Sequence, residues 1–262
     1  MRYCKQKYLK IQHDGRVMLN LACGSKMNNE WNNIDNSPLI LFAKHRNAAR
    51  FMNRIGLLSM KRYNRLQNIN NDIIRWDLRK GIPFEANTFD VVYHSHFLEH
   101  IDPSSVTKFL KDCHRVLKAT GIIRIVVPDL EVRCKNYIDS LNNCDLGISK
   151  IALEKHKESI HRLLGQMVVS DAPGLSKNNY FLSIVEGAIR GKTDKTGDIH
   201  RWMYDRITLK NVLEESGFSD VAIASPNRSR IEGWQRYLLD TNEDGTVYKR
   251  DSIYLEATKL KQ

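Results

Sequence analysis

The stretch VMLNLACGSKMNNEWNNID, Val17 to Asp35, decides how the rest of this chain is read. An apolar run, Val17–Leu21, meets a turn of small residues, Ala22-Cys23-Gly24, and about ten residues later comes an acid, Asp35. A strand closed by small residues lets a ligand approach the backbone, because no Cβ stands in the way. The turn keeps one glycine, so the stretch alone leaves open a reduced dinucleotide site, a different cofactor site or an ordinary strand end.

The order of the following segments narrows the choice. Arg16–Leu21 reads as a first strand and WNNID, ending at Asp35, as a second. PLILFAKHRNAARFMNRIGLLSMKRYNRL reads as helical, with Leu41, Ala48, Met52 and Ile55 at helical spacing and Arg46, Arg50 and Arg54 on another face. DIIRWDL is a third strand, and TFDVVYHSHFLEH holds a fourth, from Phe89 to about His94. Asp102-Pro103 opens a helix with an N-cap and a first-turn proline; its apolar stripe is Val106, Phe109, Leu110, Cys113, Val116 and Leu117, with Gly121 as the stop. IIRIVVPD is a fifth strand, apolar on both faces. After a less regular helical region, DRITLKNVLEESGF is an amphipathic helix, and SDVAIASP and DSIYLEATK are two final strands.

Strands alternating with helices in this way argue for an α/β doubly wound, mostly parallel seven-stranded sheet. The 262 residues suffice for one large core, and no low-complexity linker divides them. We therefore expect a single domain over 1–262, with a basic helical insertion over 37–70 and a helical insertion or lid over 130–199. No apolar run approaches the roughly 18–20 residues needed to span a bilayer, and the charged N-terminus does not look like a signal peptide. Cys4, Cys23, Cys113, Cys134 and Cys144 form no C-x-x-C pair, which suits a reducing cytoplasm.

The strand–turn at 17–24, Asp35, Asp77-Leu78 after the third strand and FDVVYHSHFLEH after the fourth form an ordered set. Together they resemble the class I S-adenosylmethionine-dependent methyltransferases, and most closely their type 11 branch, whose fourth-strand signature runs FD-V-----LEH. The resemblance spans about 17–128 by motif and 200–258 by pattern, and leaves 37–70 and 130–199 uncovered. It implies a Rossmann-like fold, S-adenosyl-L-methionine as cofactor and a cofactor set carried over by position. In that set Asn20, Ala22, Cys23 and Gly24 line the turn. Asp35 accepts the ribose hydroxyls, Asp77 the adenine amino group, and the Leu78 amide a ring nitrogen. Tyr93, His94 and Ser95 flank the transferred methyl. The family turn usually reads acid-x-Gly-x-Gly-x-Gly; here Asn20 replaces the acid, Ala22 the first glycine and Lys26 the third.

Methyl transfer from a sulfonium has a neutral leaving group, so the protein chiefly positions the nucleophile and removes its proton where needed. His96, just after the fourth strand, is one candidate base. His200, opening HRWMYD, is another, and Tyr204, four residues on, would share its helical face. Asp129, after Pro128, is the remaining carboxylate. His94, His96 and His100 invite a metal, but their spacing suits one ion only if the strand ended between them, so no metal site is expected.

The formal net charge of +11 is unevenly placed. Between Asn36 and Asn71 there is no Asp or Glu, while Lys44, Arg46, Arg50, Arg54, Lys61, Arg62 and Arg65 all fall there. Arginines stacked four apart repel one another unless something anionic sits against them. A phosphate-bearing or lipid-linked saccharide acceptor, or an anionic membrane face touched through 44–65, satisfies this; a solvated basic face covering the sheet edge is the other reading. Resemblance to methyltransferases of bacterial surface polysaccharide pathways points the same way, to a hydroxyl or amino group of a small or saccharide-type acceptor. An RNA substrate and a non-catalytic binding role are the alternatives. Against nucleic acid, no Asn-Pro-Pro-Tyr-like tetrapeptide follows the fourth strand; the residues there are Tyr93-His94-Ser95-His96.

Overall fold

The computed structural model describes residues 9–37, 40, 45–67, 72–144, 150–167 and 200–260. Its centre is a seven-stranded sheet in the order β3-β2-β1-β4-β5-β7-β6. The strands are β1 (Met18–Leu21), β2 (Asn32–Asp35), β3 (Ile74–Arg75), β4 (Phe89–Ser95), β5 (Leu117–Pro128), β6 (Phe218–Ile223) and β7 (Ser252–Lys259). The pairs β1–β2, β1–β4, β2–β3 and β4–β5 are parallel, while β7 runs antiparallel to both β5 and β6. The chain order reverses direction across the sheet between β1 and β4, so their carboxyl ends flank the topological switch point, the usual place for a ligand in open α/β sheets. β5 is thus parallel to one neighbour only, although its run of apolar residues reads as fully parallel.

Alternation along the strands sorts side chains into two cores. Leu19, Leu21, Val92, Ile123, Ile125, Val127, Leu255 and Ala257 face a large core covered by α3 (Pro103–Val116) and α6 (Arg206–Glu215). On the other face Met18, Val91, Tyr93, Val126 and Tyr254 pack with Trp31, Trp234 and Tyr237. This second core encloses an ionic network. Arg124, 0% exposed, donates to Glu256 Oε1 at 2.6 Å and to Asp240 Oδ2 at 2.8 Å. Its guanidinium carbon lies 4.4 Å from the Trp234 ring centroid, and the Tyr93 hydroxyl donates to Asp240 Oδ1 at 2.6 Å.

Several local expectations change. The third strand is reduced to two residues because the Asp77 carboxylate accepts the Arg79 amide at 3.1 Å and starts a 3-10 turn, Leu78–Lys80. Gly121 does not stop α3, which ends at Val116 after Asp102 caps its start. It lies inside β5, where a Cβ would stand 2.9 Å from the Lys118 carbonyl oxygen and 3.2 Å from that of Asp90. The long basic helix is broken into α1 (Arg46–Arg54) and α2 (Met60–Gln67) at Gly56, which adopts φ +76°. Its buried stripe keeps Met52 but takes Ala49 in place of Ala48 and leaves Ile55 out. Ala49 and the partly buried Met52 pack with Leu58, Leu66 and Ile73, whereas Ala48 is exposed and Ile55 is 50% exposed. Leu41 and Lys44 lie outside the described residues, as do the side chains of Lys61, Arg62 and Arg65 and residues 168–199 of the expected lid. The described part of 130–199 holds α4 (Leu130–Asn142) and α5 (Lys150–Met167). Among the described residues, no helix is long and apolar enough to cross a membrane.

Candidate active site at the strand ends

At the carboxyl end of β1 the chain turns through two left-handed residues, Ala22 (φ 50°) and Gly24 (φ 54°). The αL conformation costs a residue bearing a Cβ roughly 1–2 kcal/mol, so Ala22 is held there by its surroundings. Cys23 donates its amide to the Ile34 carbonyl at 3.1 Å, which stitches the turn to β2. The Asp35 carboxylate completes the closure, accepting the Gly24 amide at 2.7 Å and the Ser37 amide at 2.6 Å. Among the described residues no atom lies within 4 Å of the position a Gly24 Cβ would take, so these residues leave the outer side of the turn open. Burial pushes the Asp35 carboxyl up, with the amide hydrogen bonds from Gly24 and Ser37 opposing it.

The same turn explains the departures at Asn20 and Lys26. Asn20 is buried, and its side-chain amide donates to the Lys26 carbonyl at 3.1 Å and to Asn33 Oδ1 at 3.0 Å. It braces the turn from beneath and does not present itself to a ligand. Lys26 leaves the turn altogether: its ammonium donates to the Thr241 carbonyl at 2.8 Å and sits 4.5 Å from the Tyr248 ring centroid. Cys23 faces the small core beside Ile40, and burial raises its thiol well above the ordinary range. At this turn the groups open to a ligand are therefore backbone atoms around Ala22 and Gly24, with the Asp35 carboxylate.

At β3 the Asp77 carboxylate accepts Arg79 Nε at 2.9 Å and Nη2 at 2.8 Å, and these hydrogen bonds hold its pKa below the usual value. An adenine amino group would share those oxygens with Arg79. The Leu78 side chain packs against the main core.

At the end of β4 the side chains of the expected methyl-flanking residues divide. Tyr93 enters the aromatic core on one face. His94 is fully buried on the other, its ring 6.1 Å from that of Phe97 and 5.6 Å from that of Phe109, and burial takes its pKa down to about 3. Neither side chain reaches a ligand site; Ser95 ends the strand, partly buried. The chain then bends through His96 in the left-handed region, φ 50°. His96 Nε2 is 2.9 Å from the Ser252 hydroxyl and Nδ1 is 3.4 Å from Glu99 Oε1. Burial, aided by the nearby Lys249, lowers His96 to about 3, so its imidazole is neutral near pH 7.

Glu99, which the sequence reading passed over, is 0% exposed, and burial raises its carboxyl to about 8. The motif Leu98-Glu99-His100 is a single 3-10 turn, whose Glu99 carbonyl accepts the amides of Arg201 at 2.7 Å and Trp202 at 3.3 Å. Those bonds bring His200 to His100, ring centroids 4.7 Å apart. A glutamate between His96 and His100 just past a strand end was the signal available.

Of the remaining expected residues, Tyr204 and Asp129 take structural places. His200 and Tyr204 share no helical face, because α6 begins only at Arg206, after the Asp205 cap. Tyr204 is 4% exposed within the main core and bridges Asp129 through its backbone. Asp129 caps α4, accepting the Glu131 amide at 2.8 Å and the Val132 amide at 3.3 Å.

Residues 56–125 match a family model described as a methyltransferase domain. The match begins at Gly56 and ends inside β5, so β1, its turn and β2 lie outside it. Comparison with curated proteins gives no match. Among solved structures, a Haloferax volcanii methyltransferase in complex with a methyltransferase activator aligns with a TM-score of 0.43 at 10% identity, over 97% of this chain and 87% of that one. An S-adenosylmethionine-dependent methyltransferase from Archaeoglobus fulgidus aligns at 0.40 and 16%, over 93% and 86%. One from Thermotoga maritima aligns at 0.39 and 11%, over 93% and 82%.

Proposed function

We propose that this chain is a class I S-adenosylmethionine-dependent methyltransferase whose acceptor is a hydroxyl or amino group on a small or saccharide-type molecule with an anionic part, such as a phosphate-bearing or lipid-linked glycan. The observation that carries the anionic part is α1: Arg46, Arg50 and Arg54 are all exposed on a helix with no acid in its first turn. Nor does any acid lie elsewhere between Asn36 and Asn71. Such a face gains from a phosphate and pays in self-repulsion without one.

The residues at the β1 turn fit the cofactor. Backbone at Ala22 and Gly24 would lie along its methionine end, where the open space over Gly24 admits it. Asp35 would take the ribose hydroxyls: each of its oxygens accepts one amide and keeps a further acceptor position. Asp77 and Leu78 would border the adenine. When bound, the cofactor supplies an electrophilic methyl group on a good leaving sulfide. The protein then has to orient the acceptor and keep water out. On the acceptor side we assign His96 and His200, at the carboxyl end of β4 and the segment hydrogen-bonded to it. Tyr204 and Asp129 are assigned to holding that segment.

The exposed apolar residues beside the arginines favour one further element of this reading, contact with an anionic membrane face from the cytoplasm. Phe51 is 61% and Met60 61% exposed, and apolar groups flanked by cations are the pattern of an interfacial helix. The test pairs two assays on the wild-type chain and on the triple variant Arg46→Ser, Arg50→Ser, Arg54→Ser. Methyl release is measured with phosphorylated and neutral saccharides, and flotation is measured with vesicles with and without anionic lipid. The reading expects the variant to bind cofactor normally and to lose turnover of the phosphorylated acceptor, or salt-sensitive flotation. Equal behaviour of both chains in both assays would remove the anionic acceptor. Nucleic acid co-purifying with the wild type and acting as methyl acceptor would replace it with an RNA.

A further inference from the structure

We propose that Glu99, His100 and His200 form a binding site for one divalent first-row transition ion. One ligand-type atom from each residue lies within 4.8 Å of the others. The three come from segments about a hundred residues apart, held together by the backbone hydrogen bonds from Arg201 and Trp202 to the Glu99 carbonyl. Glu99 and His100 sit in one 3-10 turn, and His96 lies beside them with Nδ1 3.4 Å from Glu99 Oε1.

The feature that calls for a cation is Glu99 itself. It is 0% exposed, and among the described residues neither carboxylate oxygen has a hydrogen-bond partner. Buried polar atoms are nearly always partnered, and a buried carboxylate with none is costly to keep. Its nearest neighbours of the right kind are imidazole nitrogens, His96 Nδ1 at 3.4 Å and His100 Nε2 at 4.0 Å. The first lies at the outer limit of a hydrogen bond and the second beyond it, and a shared ion is an arrangement that satisfies carboxylate and imidazoles together.

The donor set fixes the class of ion. Two imidazoles and one carboxylate, with no thiolate, suit zinc and its first-row neighbours, and poorly suit magnesium or calcium, which prefer all-oxygen shells. Ligand atoms about 2.0–2.1 Å from a tetrahedral ion stand roughly 3.3–3.4 Å apart. Binding would require the two partly exposed imidazoles to rotate about their Cα–Cβ bonds to close the difference from 4.8 Å. Three protein ligands leave a position open, as in catalytic rather than structural sites. At the end of β4 that position would receive an acceptor oxygen and lower its pKa, a consequence that rests on the methyltransferase reading. The ion site does not rest on it. The sequence had suggested His94, His96 and His100 and no metal; the fold removes His94 into the aromatic core and supplies Glu99 and His200 in its place.

The test uses the full chain stripped of metal by chelation and dialysis. It is titrated with Co²⁺ while the visible d–d absorption is recorded, and then with Zn²⁺ by calorimetry and displacement. We expect saturation at one ion per chain and displacement of Co²⁺ by Zn²⁺. His200→Ala and Glu99→Gln should each weaken binding by more than about tenfold, since even groups that only orient metal ligands are worth about 10–100-fold. His200 lies outside any helix or strand, so its loss leaves every element intact; circular dichroism checks both variants. Absence of saturable uptake overturns the site, as does uptake that both folded variants retain unchanged. Cofactor titration of the same preparations reports on the methyltransferase reading separately.

Discussion

Replacing Arg124 by methionine removes the centre of the buried ionic network while keeping an apolar stem of similar length. Arg124 is 0% exposed and bridges Asp240 at 2.7 Å and Glu256 at 2.6 Å, side chains that are themselves 1% and 2% exposed. It also donates to the Ser225 carbonyl at 2.7 Å. Burial raises Asp240, with Arg124 and Tyr93 opposing. Glu256 is also pushed up by burial, yet the Ser229 hydroxyl, the Arg230 amide and Arg124 outweigh this and hold it below its usual value. In the variant Arg230, 3.4 Å from Glu256 and 38% exposed, still faces Glu256, and Lys26 acts on Asp240 without an ion-pair contact. Asp240 is left with the Tyr93 hydroxyl. Removing one partner of a buried pair costs about 3–5 kcal/mol, which for a chain of this size lowers Tm by roughly 6–20 °C. The sign with pH follows from the unpaired carboxylate. Its folded pKa rises above the unfolded value, so the variant is least impaired at acidic pH and loses stability as pH rises through that raised pKa. The assay is urea and thermal unfolding of both chains from pH 5 to 8. Adding Asp240→Asn and Glu256→Gln to Arg124→Met should restore most of the loss, because no buried charge is then unpaired. A loss below about 1 kcal/mol, well under the cost of an uncompensated buried charge, or one independent of pH, refutes this account of the second core.

Gly121→Ala should destabilise by about 1–3 kcal/mol, since its Cβ would meet two backbone oxygens, of Lys118 at 2.9 Å and Asp90 at 3.2 Å, as well as the movable Leu117 side chain; thermal unfolding measures it, and an unchanged Tm contradicts the close packing of β4 on β5. Burial raises the Asp35 carboxyl, so cofactor affinity should weaken on acidification at a higher pH than an exposed aspartate would dictate. Binding isotherms across pH show this, and Asp35→Asn should flatten the profile.

The fold was legible because its signals are local and periodic. All seven strands and the helices capped by Asp102 and Asp205 follow from apolar runs, caps and turns. What was not legible depends on neighbours distant in sequence. Gly121 reads as a helix stop until the Asp90 carbonyl is placed beside it. The fourth strand's Tyr93 and His94 seem a matched pair at a strand end, yet alternation sends them to opposite cores, where Tyr93 meets Asp240 from far along the chain and His94 meets Phe109 of the next helix. Arg124 looks like a stray charge in an apolar strand because its partners, Asp240 and Glu256, are more than a hundred residues away. At the site, Asp35 and the small-residue turn were visible as a motif. Glu99 and its approach to His200 were not, since the Arg201 and Trp202 amides that join them carry no side-chain signature.

The central claim, that the turn around Ala22 and Gly24 and the carboxylate of Asp35 hold S-adenosylmethionine, is tested most directly by calorimetric titration. Wild type and Asp35→Ala are titrated with the cofactor and its demethylated product. The account predicts saturable one-to-one binding of both ligands to the wild type. It also predicts affinity at least about tenfold weaker in the variant, since losing a charged hydrogen-bond acceptor costs about 1.5–3 kcal/mol. Wild-type affinity retained in a folded Asp35→Ala chain would contradict it.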